Sequence, residues 1–276
     1  MRDSIIRLFP LPSQEFPLKG LYLSHNLREN KRDSGESFVY SNYVTSLDGR
    51  IAVPHPTKAG MVVPDQITNP RDWRLFQELA VQADILITSG RYLRDYAKGR
   101  AQEILRVYDD PQFADLKDWR TERGLSPQPD MAVISGSLDF PVPPALVQGD
   151  RNIIVITTSR ADPERIKALE SQAGKVIIAG EGSVNGYRLV ESLLEMGYRT
   201  IYNTTGPKVL HLLLAAGVLD RLYLSFVTRL LGGSPFSSIV EGEQLDPPAD
   251  FVLNTIYLDP HALNGLGQLL TSYNRV

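Results

Sequence analysis

The 276-residue chain contains no cysteine. That excludes disulfides, thiolate nucleophiles and cysteine-ligated zinc. Its four histidines, His25, His55, His211 and His261, are scattered without the H-x-x-x-H spacing of a helical metal site, so no metal is expected. The charge excess is small and acidic, a net of −3, which gives no electrostatic case for binding nucleic acid or an anionic membrane. No apolar run approaches the ~20 residues that cross a bilayer. The opening MRDSIIRLFPLP, interrupted by Pro10 and Pro12, lacks the apolar core of a signal peptide, and a cytoplasmic location is expected.

What the chain does have is alternation. Residues 1–37 read as an irregular polar N-terminal extension, and the patterned domain runs over 38–276. FVYSNYVT (38–45) is strand-like. Asn69-Pro70 opens a helix, RDWRLFQELAVQA, with Trp73, Phe76, Leu79 and Ala80 at helical spacing. DILITS, MAVISG, NIIVITTS, KVIIAG and TIYNTT read as short strands, and most are followed by a helical segment. Residues 98–130 read as a surface insertion, within which AQEILRVYDD admits a helical reading. DRLYLSFVTRL is a strand, and FVLNTIYLD and GQLLTSYNRV are two strand-like runs with no helix between them. The expectation is an α/β fold: a mixed, mostly parallel sheet flanked by helices, with antiparallel C-terminal strands.

Four stretches carry candidate chemistry. KVIIAGEGSVNGYRLVESLLEMG (175–197) imitates a dinucleotide-binding strand, turn and helix. Its spacing is Gly-x-Gly-x-x-x-Gly, and Asn203 stands where an acidic residue should grip the ribose, so a simple turn is favoured. YNTTGPKVLHLLLAAG places Thr204, Thr205, Gly206, Pro207 and Lys208 at a helix start. Unpaired amides and the positive end of the helix dipole there suit a phosphate diester, and an ordinary capped helix is the equal alternative. TSLDGRIA (45–52) is a turn in which Asp48 would cap amides. TSGRYLRD (88–95) offers Arg91 and Arg94 to phosphates and Asp95 to a ribose; alternatively, Arg91 and Asp95 are a solvated i, i+4 pair.

Taken in order, SNYVTSLDGRIA, QADILITSGRYLRD, MAVISGSLDFPVP, NIIVITTS, the TTGPKVLHLLLAAGVLDRLYLSFVTRLLGG block and LLTSYNR resemble the reductase domain of the riboflavin-biosynthesis deaminase-reductase, of the dihydrofolate reductase-like fold. The resemblance implies a cytoplasmic homodimer that binds NADPH and reduces a small polar heterocycle by hydride transfer. It places the cofactor diphosphate at Thr205, Gly206, Pro207, Lys208, Val209 and Leu210, with Thr45 on the nicotinamide side. Gly90, Arg91, Ser135 and Gly136 would also touch the cofactor. Ser46 and Thr204 would meet substrate, and Asp48 and Asp95 would orient it or relay a proton. Departures lie on the substrate side: Thr204 replaces a family glutamate, and Pro64-Asp65-Gln66 replaces Ser-x-Trp, while Ile67-Thr68-Asn69-Pro70 survives. The deaminase's cysteine-bearing zinc motif is absent, as the lack of cysteine requires. The alternatives are an NADP-binding module of this fold without activity, a reductase with a different substrate such as a pterin, and a Rossmann enzyme centred on Gly182.

Overall fold

The computed structural model describes residues 4–31, 33–57, 60–100, 111–144 and 151–276. The chain divides into two compact units, one of Met1–His25, Val39–Glu78 and Gly206–Val276, the other of Asn26–Phe38 and Leu79–Thr205.

In the first unit, strands β1 (Ser4–Phe9), β2 (Gln14–Pro17), β3 (Phe38–Ser46), β11 (Arg221–Val227), β12 (Phe251–Asp259) and β13 (Gln268–Arg275) lie in the order β2-β1-β12-β13-β11-β3. Only β3 and β11 are parallel; the other pairs are antiparallel. The antiparallel C-terminal pair is as expected. The irregular reading of residues 1–37 is corrected: β1 joins β12 with Ile6 opposite Leu258, and β2 folds back on β1. A two-stranded ribbon pairs β4 (Val53–Pro54) with β5 (Met61–Val62).

The second unit is wholly parallel. Strands β6 (Ile85–Ser89), β7 (Asp130–Ile134), β8 (Ile153–Thr157), β9 (Gly174–Ile178) and β10 (Thr200–Asn203) lie in the order β10-β6-β7-β8-β9. Parallel strands covered on both faces need unbroken apolar runs, and ILIT and IIVIT are buried throughout. Edge strand β9 is not.

Among the described residues the α-helices are α1 (Pro70–Ala80), α2 (Gly90–Ala97), α3 (Ala114–Glu122), α4 (Pro163–Ala173), α5 (Gly186–Glu195) and α6 (Pro207–Ala215). Asp162 caps α4 and Asn185 caps α5 through their side chains. Among the described residues, no helix is long and apolar enough to cross a membrane.

Two expectations change. The loose surface insertion at 98–130 contains α3, anchored by the buried guanidinium of Arg120. That group donates to the carbonyls of Val81, Ala83 and Ser126 at 2.7–2.8 Å. The helix considered at AQEILRVYDD lies outside the described residues. In α1, Trp73 and Phe76 stack on each other at 4.8 Å and stay partly exposed. The face that goes inward carries Arg74, Leu75 and Glu78.

His25 shows how the N-terminal segment is held. Its ring nitrogens bond the hydroxyls of Tyr223 on β11 and Tyr257 on β12 at 2.9 and 3.1 Å. Burial, together with the nearby Arg221 cation, lowers its pKa to about 3. The unfolded chain therefore binds a proton near 6.5 that the folded chain refuses. Stability contributed by neutral His25 is complete above that pH and is lost as pH falls from 6.5 toward 3. Replacing it with phenylalanine removes this linkage. The loss of unfolding free energy between pH 7 and pH 5, measured by urea denaturation, is expected to shrink by about 2 kcal/mol in H25F.

Candidate active site

The turn after β3 is built around one carboxylate. β3 ends at Ser46, whose buried hydroxyl donates to Asp48 Oδ1 at 2.5 Å and accepts from the Arg50 amide at 3.0 Å. Asp48 also accepts from Arg50 Nη1 and from the amides of Leu231 and Gly232, so it ties this turn to the chain beyond β11. Arg50 in turn donates to the Gly233 carbonyl and lies over the Phe236 ring at 4.3 Å. Thr45 is buried, and its hydroxyl donates to the Ser46 carbonyl at 3.0 Å. The hydrogen bonds from Ser46 and from the Gly232 and Leu231 amides, with the Arg50 cation, hold the Asp48 carboxyl down at about 2. An anion so low in pKa has no proton to relay. Of the two roles considered for Asp48, orientation is the one its surroundings permit.

The Thr204–Leu210 stretch is open at only part of its length. Thr204 donates both its amide and its hydroxyl to the Ile87 carbonyl, and the Thr205 amide is held by Asn203 Oδ1. Gly206 caps α6 with extended backbone and no side-chain bond, and Pro207 occupies the first turn. The amides of Val209 and Leu210 turn back to the Gly206 carbonyl, and Leu210 is fully buried. Gly206 and Lys208 are the exposed residues of the turn, and a Cβ built at Gly206 would meet nothing within 4 Å. An open first turn at the positive end of a helix dipole can receive an anionic group.

In the second unit, Gly90 and Ser135 come together for packing. A Cβ at Gly90 would lie 2.8 Å from the Phe140 ring and 2.9 Å from Ser135 Oγ, so only glycine lets α2 start there. Ser135 Oγ accepts from the Leu138 amide, and Gly136 is exposed. Asp95 is held by Arg100 at 2.6 Å, with the exposed Arg91 at 3.8 Å, so the Arg91–Asp95 pair is the solvated one considered from the sequence. An open cleft of about 510 Å³ lies between α2 and α4, lined by Arg94, Lys98, Phe140, Arg165 and Leu169 among others. Arg94 and Arg165 already donate to the carbonyls of Asp139 and Ser137.

The Gly180–Gly186 stretch is a closed turn. Its ends are fastened by the Ser159 amide on the Gly180 carbonyl and the Asn185 amide on the Ala179 carbonyl. Gly180 has φ +155°, and a Cβ there would collide with the Ser183 carbonyl. The first turn of α5 is already capped by Asn185.

Sequence reasoning missed a polar group around α1. Asn69 Oδ1 accepts from the amides of Arg71 and Asp72 and caps the helix. Asn69 Nδ2 donates to Gln268 Oε1 at 2.8 Å, and Gln268 Nε2 donates to Asp72 Oδ1 at 3.2 Å. Asp72 is also bonded to Ser225 of β11. Asn69-Pro70 marked the helix start, but Gln268 is 196 residues from Asp72, and no local pattern joins them.

The parallel unit, the antiparallel terminal strands and the turns at strand ends define an α/β chain built on a mixed sheet. Residues 37–257 match the RibD C-terminal domain family, and the chain belongs to that family. Among its relatives is the 2,5-diamino-6-ribosylamino-4(3H)-pyrimidinone 5′-phosphate reductase of Methanothermobacter thermautotrophicus. That protein is 23% identical over 215 residues, which are 78% of this chain and 88% of the relative. Among solved structures, a pyrimidine reductase-like protein from Corynebacterium diphtheriae superposes with a TM-score of 0.64 at 18% identity, covering 89% of this chain and 94% of the other. The Rib7 riboflavin biosynthesis reductase of Saccharomyces cerevisiae gives 0.55 at 15% identity, covering 93% and 99%.

The two glycine turns are expected to respond oppositely to a methyl group. Gly180→Ala should lose on the order of 2–4 kcal/mol from steric strain, whereas Gly206→Ala should stay within ~0.5 kcal/mol of the native protein. Thermal unfolding of both variants measures this.

Proposed function

We propose that this chain is an NADPH-dependent pyrimidine reductase that transfers hydride to an aminopyrimidine ribosyl phosphate-like substrate in riboflavin biosynthesis. The observation that carries the reading is the open first turn of α6 at Gly206 and Lys208, within a chain whose motifs follow the family's order. The named activity of the archaeal relative supports the substrate class.

The residues fit a dinucleotide: a phosphate needs close approach to backbone, and Gly206 leaves that space open. NADPH, when bound, supplies the hydride, which goes to an imine- or carbonyl-like carbon. The chain supplies the rest. Gly206, Pro207 and Lys208, with the backbone of Thr205, Val209 and Leu210, hold the diphosphate. Thr45 borders the nicotinamide from the end of β3. Ser135 and Gly136, with Gly90 and Arg91, are assigned by motif to the cofactor's adenosine end. Asp48 fixes the turn after β3 as an anion, and Asp95, paired with Arg100, is assigned to orient the substrate. A cytoplasmic homodimer belongs to the same proposal.

A second reading, an NADP-binding module without turnover, is favoured by one observation. Thr204 stands at the family's substrate glutamate, and its hydroxyl is already bonded to Ile87. Fluorescence titration with NADPH, followed by its oxidation with 2,5-diamino-6-ribosylamino-4(3H)-pyrimidinone 5′-phosphate, separates the two. Binding with oxidation is expected. Binding without oxidation would favour the module, and no binding at near-millimolar cofactor would refute both. Gly206→Asp places a negative charge where phosphate is proposed and should weaken NADPH at least ~10-fold, about 1.4 kcal/mol. Gly182→Val should leave binding unchanged.

A further inference from the structure

Hydride delivery to an imine or carbonyl carbon leaves the adjacent nitrogen or oxygen in need of a proton. Asp48, ionised down to about 2, has none to give, and the Asp95 carboxylate is paired with Arg100 at 2.6 Å. One carboxylate of the first unit differs from both. Asp72 stands in the first turn of α1, two residues after Pro70, and is only half-buried. Its partners are Gln268 Nε2, at 3.2 Å, and Ser225. Gln268 pairs in register with Val227, the last residue of β11, and Val227 pairs with Ser46, the last residue of β3. Asp72 therefore lies at the carboxyl end of the one parallel strand pair of this unit, beside the strand that carries Thr45. In open α/β sheets, ligands gather outside those ends.

We infer that Asp72 is the proton donor of the reduction, with Ser225, Gln268 and the Asn69 cap as positioning residues that aim its carboxyl. This rests on the reductase reading. The step balances: the C=N or C=O carbon gains the hydride from NADPH, the π pair moves to the heteroatom, and that atom takes the Asp72 proton. The products are an amine or alcohol, NADP⁺ and the Asp72 carboxylate, which solvent then reprotonates.

The groups that face Asp72 agree with a carboxyl that keeps its proton to higher pH than an ordinary aspartate. Asp259 of β12 presents a like charge, itself paired with Arg71 of α1 at 2.6 Å. Tyr22 presents a phenol whose pKa is raised chiefly by its own burial, with Tyr223 and then Asp72 adding to it. Ser225 and Gln268 are neutral donors. Burial of the carboxyl, opposed by the Ser225 and Gln268 bonds and aided by Asp259, raises its pKa to about 6. A general acid is most effective when its pKa lies close to working pH.

The test is a pH profile of kcat for NADPH oxidation with the ribosylaminopyrimidine phosphate named above. In the native enzyme kcat should fall as pH rises through about 6, because the donor must be protonated. Asp72→Asn keeps an acceptor for Gln268 but cannot donate an acidic proton. It should lower kcat by ~100-fold or more and abolish the pH-dependent limb, with the NADPH dissociation constant unchanged. Ser225→Ala removes a bond that favours the charged form, so its limb should move to higher pH. A D72N enzyme that keeps its kcat, or loses rate evenly while retaining the limb, overturns the assignment. An S225A limb that does not move overturns it as well. A native enzyme that binds NADPH but oxidises none of it refutes the reductase reading, and this inference with it.

Discussion

A helix that carries Arg71, Asp72, Arg74 and Glu78 toward a protein interior can settle only if each of them finds a partner. An unpaired buried charge costs several kcal/mol. α1 meets that condition on all four counts. Arg71 pairs with Asp259 at 2.6 Å and Arg74 with Glu78 at 2.8 Å. Asp72 is held by Gln268 and Ser225. Glu78, fully buried, also accepts the amides of Gly20 and Tyr22 at 2.6 and 2.9 Å, and burial still raises its pKa. The requirement explains why the N-terminal segment is part of the first unit. Without the Gly20 and Tyr22 amides, Glu78 would lose two of the donors that satisfy its buried charge. The same segment brings His25 between Tyr223 and Tyr257, and β1 to the edge of β12. One buried carboxylate on a helix thus gives residues 4–25 their place.

The two glycine turns divide what a single motif is usually asked to do. At Gly180 the backbone closes on itself, and the absent side chain makes room for the Ser183 carbonyl. At Gly206 the backbone is ordinary and extended, and the absent side chain leaves space in front of a helix. Only the second kind of vacancy can admit a ligand. Both turns look alike as letters. They differ in whether the chain itself fills the space, which depends on the path of residues 183–185 in one and 204–210 in the other.

Much of the scaffold was legible for a plain physical reason. β6 and β8 are unbroken apolar runs, which only strands covered on both faces tolerate, and Asp162-Pro163 and Asn69-Pro70 announce helix starts chemically. What stayed hidden depends on distant partners. Ser4–Phe9 is a weak pattern until β12, some 250 residues later, supplies its ladder. Arg120 reads as surface charge until the carbonyls of Val81 and Ala83 turn toward it. In α1 Leu79 and Ala80, two of the four residues at helical spacing, are buried, whereas Trp73 and Phe76 stack on each other and the ionisable Arg74 and Glu78 go in. The candidate site divides along the same line. The turns at Asp48 and Gly206 could be picked out locally, whereas Asp72 could not.

The contrast between Asp48 and Asp72 carries the chemistry furthest. Both are aspartates of the same unit, one following β3 and the other opening α1. Backbone amides, a serine hydroxyl and an arginine surround Asp48, so its anion is solvated by the protein. Asp72 has two neutral donors, a like charge on Asp259 and little water. Environments that push two carboxyls apart in this way assign them different work. The low one can only hold geometry, because its proton is gone well below neutral pH. The high one keeps its proton up to about pH 6 and can surrender it once a neighbouring atom becomes basic, as the heteroatom does when a hydride arrives.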